Sequence, residues 1–417
     1  MKRILCILLC ALLCLSVLFG CSNQGEEIIA RVEERQVSFS DFLDTLDYYV
    51  YYMGVDTQDS SSKETVMQLA ETILQSMVLS EVVLAKGEEL GYYEFSEEEK
   101  SQIQSDIQAE MDAGRESIEA TIKEENPDLS EEELKTKVDL EMATQGYIEE
   151  DFRTYFEDSL VYDKVYAHFT EDVTVSEEEI QAEYDRLVEE AQTSYLEGTS
   201  SFEDDALLGG TIYYTPAGYR RVKHILIGFD SGTSTQLNEL SAAGDEEAYQ
   251  AYLEEALAAI RSEAEGVLAQ VNADGSNFAE LMETYSDDPG ASYYPDGYVV
   301  GQENSTYHES FVEGVFALEN PGDISGLVAS PSGYHIIRLE EILQEGAAAY
   351  EDVKESVSTS LLETRQSDTF YDLSETWQEE MDVKTYPEKY QVYLDNYYAE
   401  LEAEETSSAE KSASAEE

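Results

Sequence analysis

Between residues 60 and 91 apolar side chains return every three or four positions. Val66, Leu69, Ile73, Met77 and Leu84 lie on this rhythm, which predicts an amphipathic helix, and Gly91 is placed to end it. Three further helix starts are written in one chemistry. Ser96-Glu99, Ser130-Glu133 and Ser176-Glu179 each read SEEE, a pattern in which serine and the third acid satisfy the free amides of a first turn reciprocally. The stretch from 28 to about 196 therefore predicts antiparallel helical hairpins, opened by a short hairpin in IIARVEERQVSFSDF.

Around 197–218 the composition turns to small and turn-forming residues, which marks a boundary. Beyond it the pattern changes. RVKHILIGFD (221–230) and SGYHIIRLEE (332–341) are short Ile/Leu-rich runs with strand character, and each holds a histidine, His224 and His335. A glycine/serine/threonine loop is expected over 228–235. A long helix is expected with Tyr249, Leu253, Leu257, Ile260, Ala264, Val267 and Val271 on one face. Helical spacing returns from Tyr350 to Trp377, and the polar stretch from about Glu400 predicts a disordered acidic tail. The fold class predicted is α+β and mostly helical.

The first residues add a location. Lys2 and Arg3 precede an apolar run from Ile4 to Phe19 and the pair Gly20-Cys21, the arrangement of a secretory signal. The run is shorter than the roughly 20 residues of a spanning helix. Leu18-Phe19-Gly20-Cys21 looks like a lipobox, with Cys21 as the lipidated residue; ordinary cleavage or a retained anchor are the alternatives. Cys6, Cys10, Cys14 and Cys21 all lie here, so the rest of the chain offers no thiol for a disulfide, zinc or thiol chemistry.

Lys and Arg number 24 against 92 Asp and Glu, a formal charge of −68. Such a field repels nucleic acid and anionic headgroups and favours solubility. Most of these carboxylates read as a solvated surface. Tyr and Phe number 30 and 13, many of them in the helical region, as in FLDTLDYYVYYMG; they read as core or as an apolar client groove. His168 carries no suggested acid-base partner, and His308, next to Tyr307, reads as a site neighbour or as a surface residue.

KHILI, FAELMETYSDD, SFVEGVFALENPGDISG and SGYHIIRLEE, in this order over about Arg220 to Ile342, resemble the parvulin-type (PpiC-type) peptidyl-prolyl isomerases. The flanks resemble, by order more than by motif, the helical chaperone parts of PrsA-like foldase lipoproteins and SurA-like chaperones. The resemblance implies His224 and His335 as paired histidines on adjacent strands and Asp288 as the acid held near the substrate carbonyl. It also implies Phe311, Val299 and Tyr307 around the proline ring, with Ser330 beside the second histidine. No cofactor and no metal are implied, because rotation about an X-Pro bond makes and breaks no covalent bond. The loop GFDSGTST lacks the basic cluster of phosphate-selective members.

The expected division is a signal peptide at 1–20, lipidated Cys21 and tether at 21–27, and a helical chaperone region at 28–215. An isomerase domain at 216–344 follows, then a C-terminal helix packing back on the N-terminal region at 345–397 and the disordered acidic tail at 398–417. The function expected is a membrane-anchored extracytoplasmic foldase for exported proteins. Its partners would be unfolded or newly exported chains with X-Pro bonds and, through the lipid, the membrane, with no nucleic acid and room for a homodimer. The alternative is a holding chaperone whose isomerase domain is weak or inactive. A solute-binding lipoprotein would need many more strands.

Overall fold

The structure, a computed structural model, describes residues 27–198, 201–303 and 305–415. Cys21, the leader and the tether lie outside them. The chain divides into two compact units: one runs up to Thr174 and resumes at Leu362, and the other, Val175–Leu361, is inserted between those two parts. The fold is α+β and mostly helical.

The first unit opens with β1 (Ile28–Val32) and β2 (Arg35–Ser38), then α1 (Phe39–Tyr52), α2 (Lys63–Glu89), α3 (Glu97–Glu125), α4 (Glu131–Thr144) and α5 (Glu149–Thr170). The capping boxes predicted at Ser96 and Ser130 start α3 and α4: each serine accepts the third amide while the third glutamate returns to the serine N–H. On α2 the predicted stripe is buried. By length and composition it could cross a bilayer, but Val66, Ile73, Leu79, Val82 and Val83 pack with Phe42 and Leu46 of α1 and Val161 and Val165 of α5 as this unit's core. Helices α2 and α5 touch at Gly87, where a Cβ would stand 2.2 Å from Val161 Cγ1; alanine there forces the helices apart.

The second unit holds α6 (Glu177–Glu197), α7 (Phe202–Leu208), β3 (Tyr214–Thr215), β4 (Tyr219–Gly228), α8 (Ser231–Ala243), α9 (Glu246–Leu268), α10 (Phe278–Tyr285) and β5 (Tyr298–Gly301). It continues through α11 (Glu309–Phe316), β6 (Val328–Ser330), β7 (Gly333–Ile342), β8 (Gly346–Ala347) and the start of α12 (Tyr350–Glu380). Four strands form an antiparallel sheet in the order β5-β4-β7-β6. Because side chains alternate across a strand, the sheet has two cores. Ile225, Ile227 and Ile336 meet Ala264 and Val267 of α9 and Phe278 of α10 on one face. Val222, Ile337 and Leu339 meet Phe311 and Val315 of α11 on the other. The chain rejoins the first unit within α12, at Leu362, and ends there with β9 (Val383–Thr385), which pairs with β1, and α13 (Glu388–Ala415).

Three expectations differ from this. The loop at 228–235 is short, because Asp230 accepts the Thr233 amide and starts α8 at Ser231. The boundary at 215/216 falls inside the second unit: Ile180 of α6 shares a core with Val353 and Val357 of α12, and α7 is tied to the loop after β5 as described below. The tail expected to be disordered from 398 continues as α13 to Ala415. Tyr390, Leu394 and Tyr398, one helical turn apart, are buried in the first unit's core, and Tyr398 Oη lies 2.9 Å from Ser62 Oγ.

Candidate active site

On β4 and β7 the pairing sets Leu226 opposite His335 and His224 opposite Ile337. The two histidines are thus diagonal neighbours on one face, within reach of each other's rings. Their Nδ1 atoms are 3.1 Å apart, and both residues are buried. His335 Nε2 is 2.8 Å from Ser330 Oγ of β6. His224 Nε2 is 3.3 Å from Asp288 Oδ2. Asp288 sits where α10 has ended and a short 3₁₀ turn begins; its Oδ1 accepts the Gly290 amide at 3.0 Å. Tyr298 Oη donates to Asp288 Oδ2 at 2.7 Å.

Aromatic rings wall the histidine pair. Phe311 of α11 lies 4.9 Å from the His335 ring and 5.3 Å from that of His224, Tyr298 lies 5.3 Å from His224, and Tyr307 lies 5.7 Å from Phe311. The Tyr307 hydroxyl is buried without a hydrogen-bond partner among the described residues. His308 N-caps α11. His168, in the first unit, contacts Phe169 and Tyr92.

The electrostatics follow from burial and partners. Burial pushes His335 down from 6.5 to about 3, and the His224 ring adds to the effect. For Asp288, burial alone would raise the carboxyl. The hydrogen bonds from His224 and Tyr298 outweigh it and bring the group down to about 2. With neutral rings, one order of donors satisfies every member. Ser330 O–H donates to His335 Nε2, His335 Nδ1–H to His224 Nδ1, and His224 Nε2–H to the Asp288 carboxylate, which Tyr298 also supports. Every donor points toward one anion.

That order is checkable. At pH 8, ¹⁵N spectra should show His335 protonated on Nδ1 and His224 on Nε2; the reverse tautomers would contradict the chain. On acidification the unfolded chain protonates residue 335 first, near 6.5. Its contribution to stability is therefore complete above pH 6.5 and is lost progressively down to about pH 3, with Asp288 adding a loss between 3.8 and about 2. Denaturant titrations from pH 8 to 4 should accordingly show a smaller loss in a His335→Asn variant than in the parent.

Of the residues singled out by sequence, His224, His335, Asp288, Ser330, Phe311 and Tyr307 come together. Val299 does not. It pairs with Arg221 while Tyr298 pairs with Val222, so Val299, though buried, points to the far face and Tyr298 turns its ring to His224. One position along a strand exchanges faces. Gly297 (φ +86°) fixes that register: a Cβ there would lie 2.2 Å from the Val222 carbonyl oxygen. Alternation within YVVG was the signal for Tyr298.

Glu203 of α7 gave no such signal. It is 2% exposed, yet its carboxylate accepts four hydrogen bonds from the last residue of β5 and the loop after it. They come from the Gly301 amide and Ser305 hydroxyl, both at 2.6 Å, and the Thr306 amide and hydroxyl, both at 2.7 Å. That loop leads directly to Tyr307.

Residues 224–341 match the family described as Rotamase: PPIC-type PPIASE domain. Along most of its length the chain is also similar to proteins named Foldase protein PrsA. That of Clostridium botulinum strain Hall is 22% identical over 373 residues, 87% of this chain and 89% of the relative. One from Clostridium perfringens is 22% identical over 337 residues, 80% of this chain and 77% of the relative. Among solved structures, PrsA from Bacillus subtilis aligns over 85% of this chain and 92% of its own at 16% identity and a TM-score of 0.23. A SurA-like chaperone of Campylobacter jejuni aligns over 71% and 89% at 18% identity and a TM-score of 0.26. On the sequence match and the site's geometry, residues 224–341 are a parvulin-type peptidyl-prolyl cis-trans isomerase domain, in a chain similar along most of its length to proteins named Foldase protein PrsA.

Proposed function

We propose that this chain is a lipid-anchored foldase at the outer face of the cytoplasmic membrane that isomerises X-Pro bonds in exported proteins. The leader grammar and Cys21 support the location, and the relatives' name, Foldase protein, supports the role. The observation that carries the chemistry is the hydrogen-bonded line from Ser330 to Asp288 beneath the rings of Phe311, Tyr298 and Tyr307.

The barrier to rotation, about 18–20 kcal/mol, comes from amide resonance, which places negative charge on the carbonyl oxygen of the planar form. Phe311 and Tyr307 would hold the pyrrolidine ring and keep water from the amide. Asp288, ionised and fixed by His224 and Tyr298, would lie by the carbonyl. An anion there disfavours the charge-separated planar amide more than the twisted one, which lowers the barrier between them by selective destabilisation of the planar ground state. The buried histidines orient the carboxylate through their hydrogen bonds.

Clients would also be held by the first unit. On α1, Tyr49 and Val50 are buried, but Tyr51 and Tyr52 are 87% and 75% exposed and Met53 follows them. A row of exposed rings with hydroxyl tips suits unfolded apolar segments.

A proline-peptide assay alongside an aggregation assay tests both parts. Asp288→Ala should lower kcat/KM on the order of 10²-fold and leave aggregation suppression intact. Tyr51→Ser with Tyr52→Ser should do the opposite. Full turnover in Asp288→Ala would end the catalytic reading; suppression unaffected by the tyrosine pair would end the client-face reading.

A further inference from the structure

Beyond the proline slot, a cavity of about 470 Å³ opens between the α8–α9 turn and the strand carrying Ser330. Its volume is that of a ligand pocket, typically about 300–1,000 Å³. Leu253 and Leu257 of α9 and Ala329 of β6 supply apolar lining, and His308 and Ser330 lie on the side of the slot. These two residues border the slot as well: Ser330 hydrogen-bonds His335, and His308 follows Tyr307 directly.

The charged groups of the lining are one-sided. Asp245 and Glu246, at the start of α9, line the cavity, and among the described residues no lysine or arginine does. Asp245 caps α9 through Oδ1, and Glu246 accepts the Gln250 amide through Oε1. A carboxylate has about four acceptor sites, so each keeps capacity for a further donor. An apolar wall with carboxylates fits a side chain that has a long aliphatic stem and a cationic head. It disfavours an anionic one, as does the chain's charge of −68.

We propose that this cavity is a specificity subsite that takes a lysine or arginine side chain next to the proline in the client peptide. The subsite rests on the isomerase reading of the neighbouring slot. It selects X-Pro bonds flanked by basic residues and discriminates against acidic or phosphorylated ones.

The test uses the intact protein and proline peptides carrying Lys, Ala or Glu at each position flanking the proline. Lys should exceed Glu about tenfold in kcat/KM at low salt at one of the two positions, the equivalent of about 1.4 kcal/mol, and the gap should narrow as salt rises. Asp245→Asn with Glu246→Gln should shrink it to less than twofold while leaving the Ala peptide unchanged, since asparagine still caps a helix. A parent enzyme indifferent to the flanking charge, or a double variant that keeps the preference, overturns the subsite. No turnover of any peptide would instead count against the isomerase reading. The same comparison is then read as binding of labelled peptides by anisotropy, where equal affinity for Lys and Glu peptides overturns the subsite.

Discussion

Replacing Glu203 by alanine should lower the melting temperature of the isomerase unit by roughly 10 °C, the counterpart of about 3–5 kcal/mol in a unit of this size. Four donors converge on this carboxylate and fill its acceptor sites. Alanine leaves two amides and two hydroxyls facing a void, and a buried donor without a partner costs about 1–3 kcal/mol. The second consequence is functional, because Thr306 immediately precedes Tyr307. With that loop released, one wall of the proposed proline slot loses its anchor, and KM should rise more than kcat falls, measured well below the transition. Glu203→Gln is no remedy: its amide end meets two donors instead of accepting them. A variant with unchanged melting temperature and unchanged KM would refute the role.

Arg35→Met should cost the first unit about 3–5 kcal/mol, since it removes a cation shared by a half-buried group of carboxylates. From β2, Arg35 reaches Glu81 of α2, Glu88 at 2.8 Å and Asp158 of α5 at 2.9 Å, and the Tyr93 hydroxyl donates to Asp158. Without the guanidinium, three acids repel across a poorly solvated space. Burial already raises Glu81 above the ordinary carboxylate range. An acid raised on folding takes its proton first in the folded state, so lowering the pH stabilises. The deficit should therefore be smaller at pH 5 than at pH 8 in chemical denaturation. Arg35→Lys should recover only part of it, because an ammonium cannot present the same fork of donors.

How much of this was legible depended on whether the signal was local. The SEEE boxes were, because cap and third residue belong to one turn. The histidine strands were legible too, since two short apolar runs each held a scarce residue. Val299 was misplaced by one position, an error that alternation magnifies into the wrong face. Asp230 hid a helix start inside a run that composition marks as loop. The acidic composition from 398 onward concealed Tyr398, which continues at helical spacing the buried stripe of Tyr390 and Leu394. Glu203 could not have been found: in SFEDDALL it is one acid among three, and only tertiary contact separates it from its neighbours.

Grafting experiments meet the same fact from the other side. A transplant cut at the edge of the recognisable motif would deliver both imidazoles and their acid to a new host yet leave behind the clasp on α7. Such a chimera would inherit the chemistry without its tension, so the smallest portable isomerase of this kind is defined by a carboxylate that no pattern search would include.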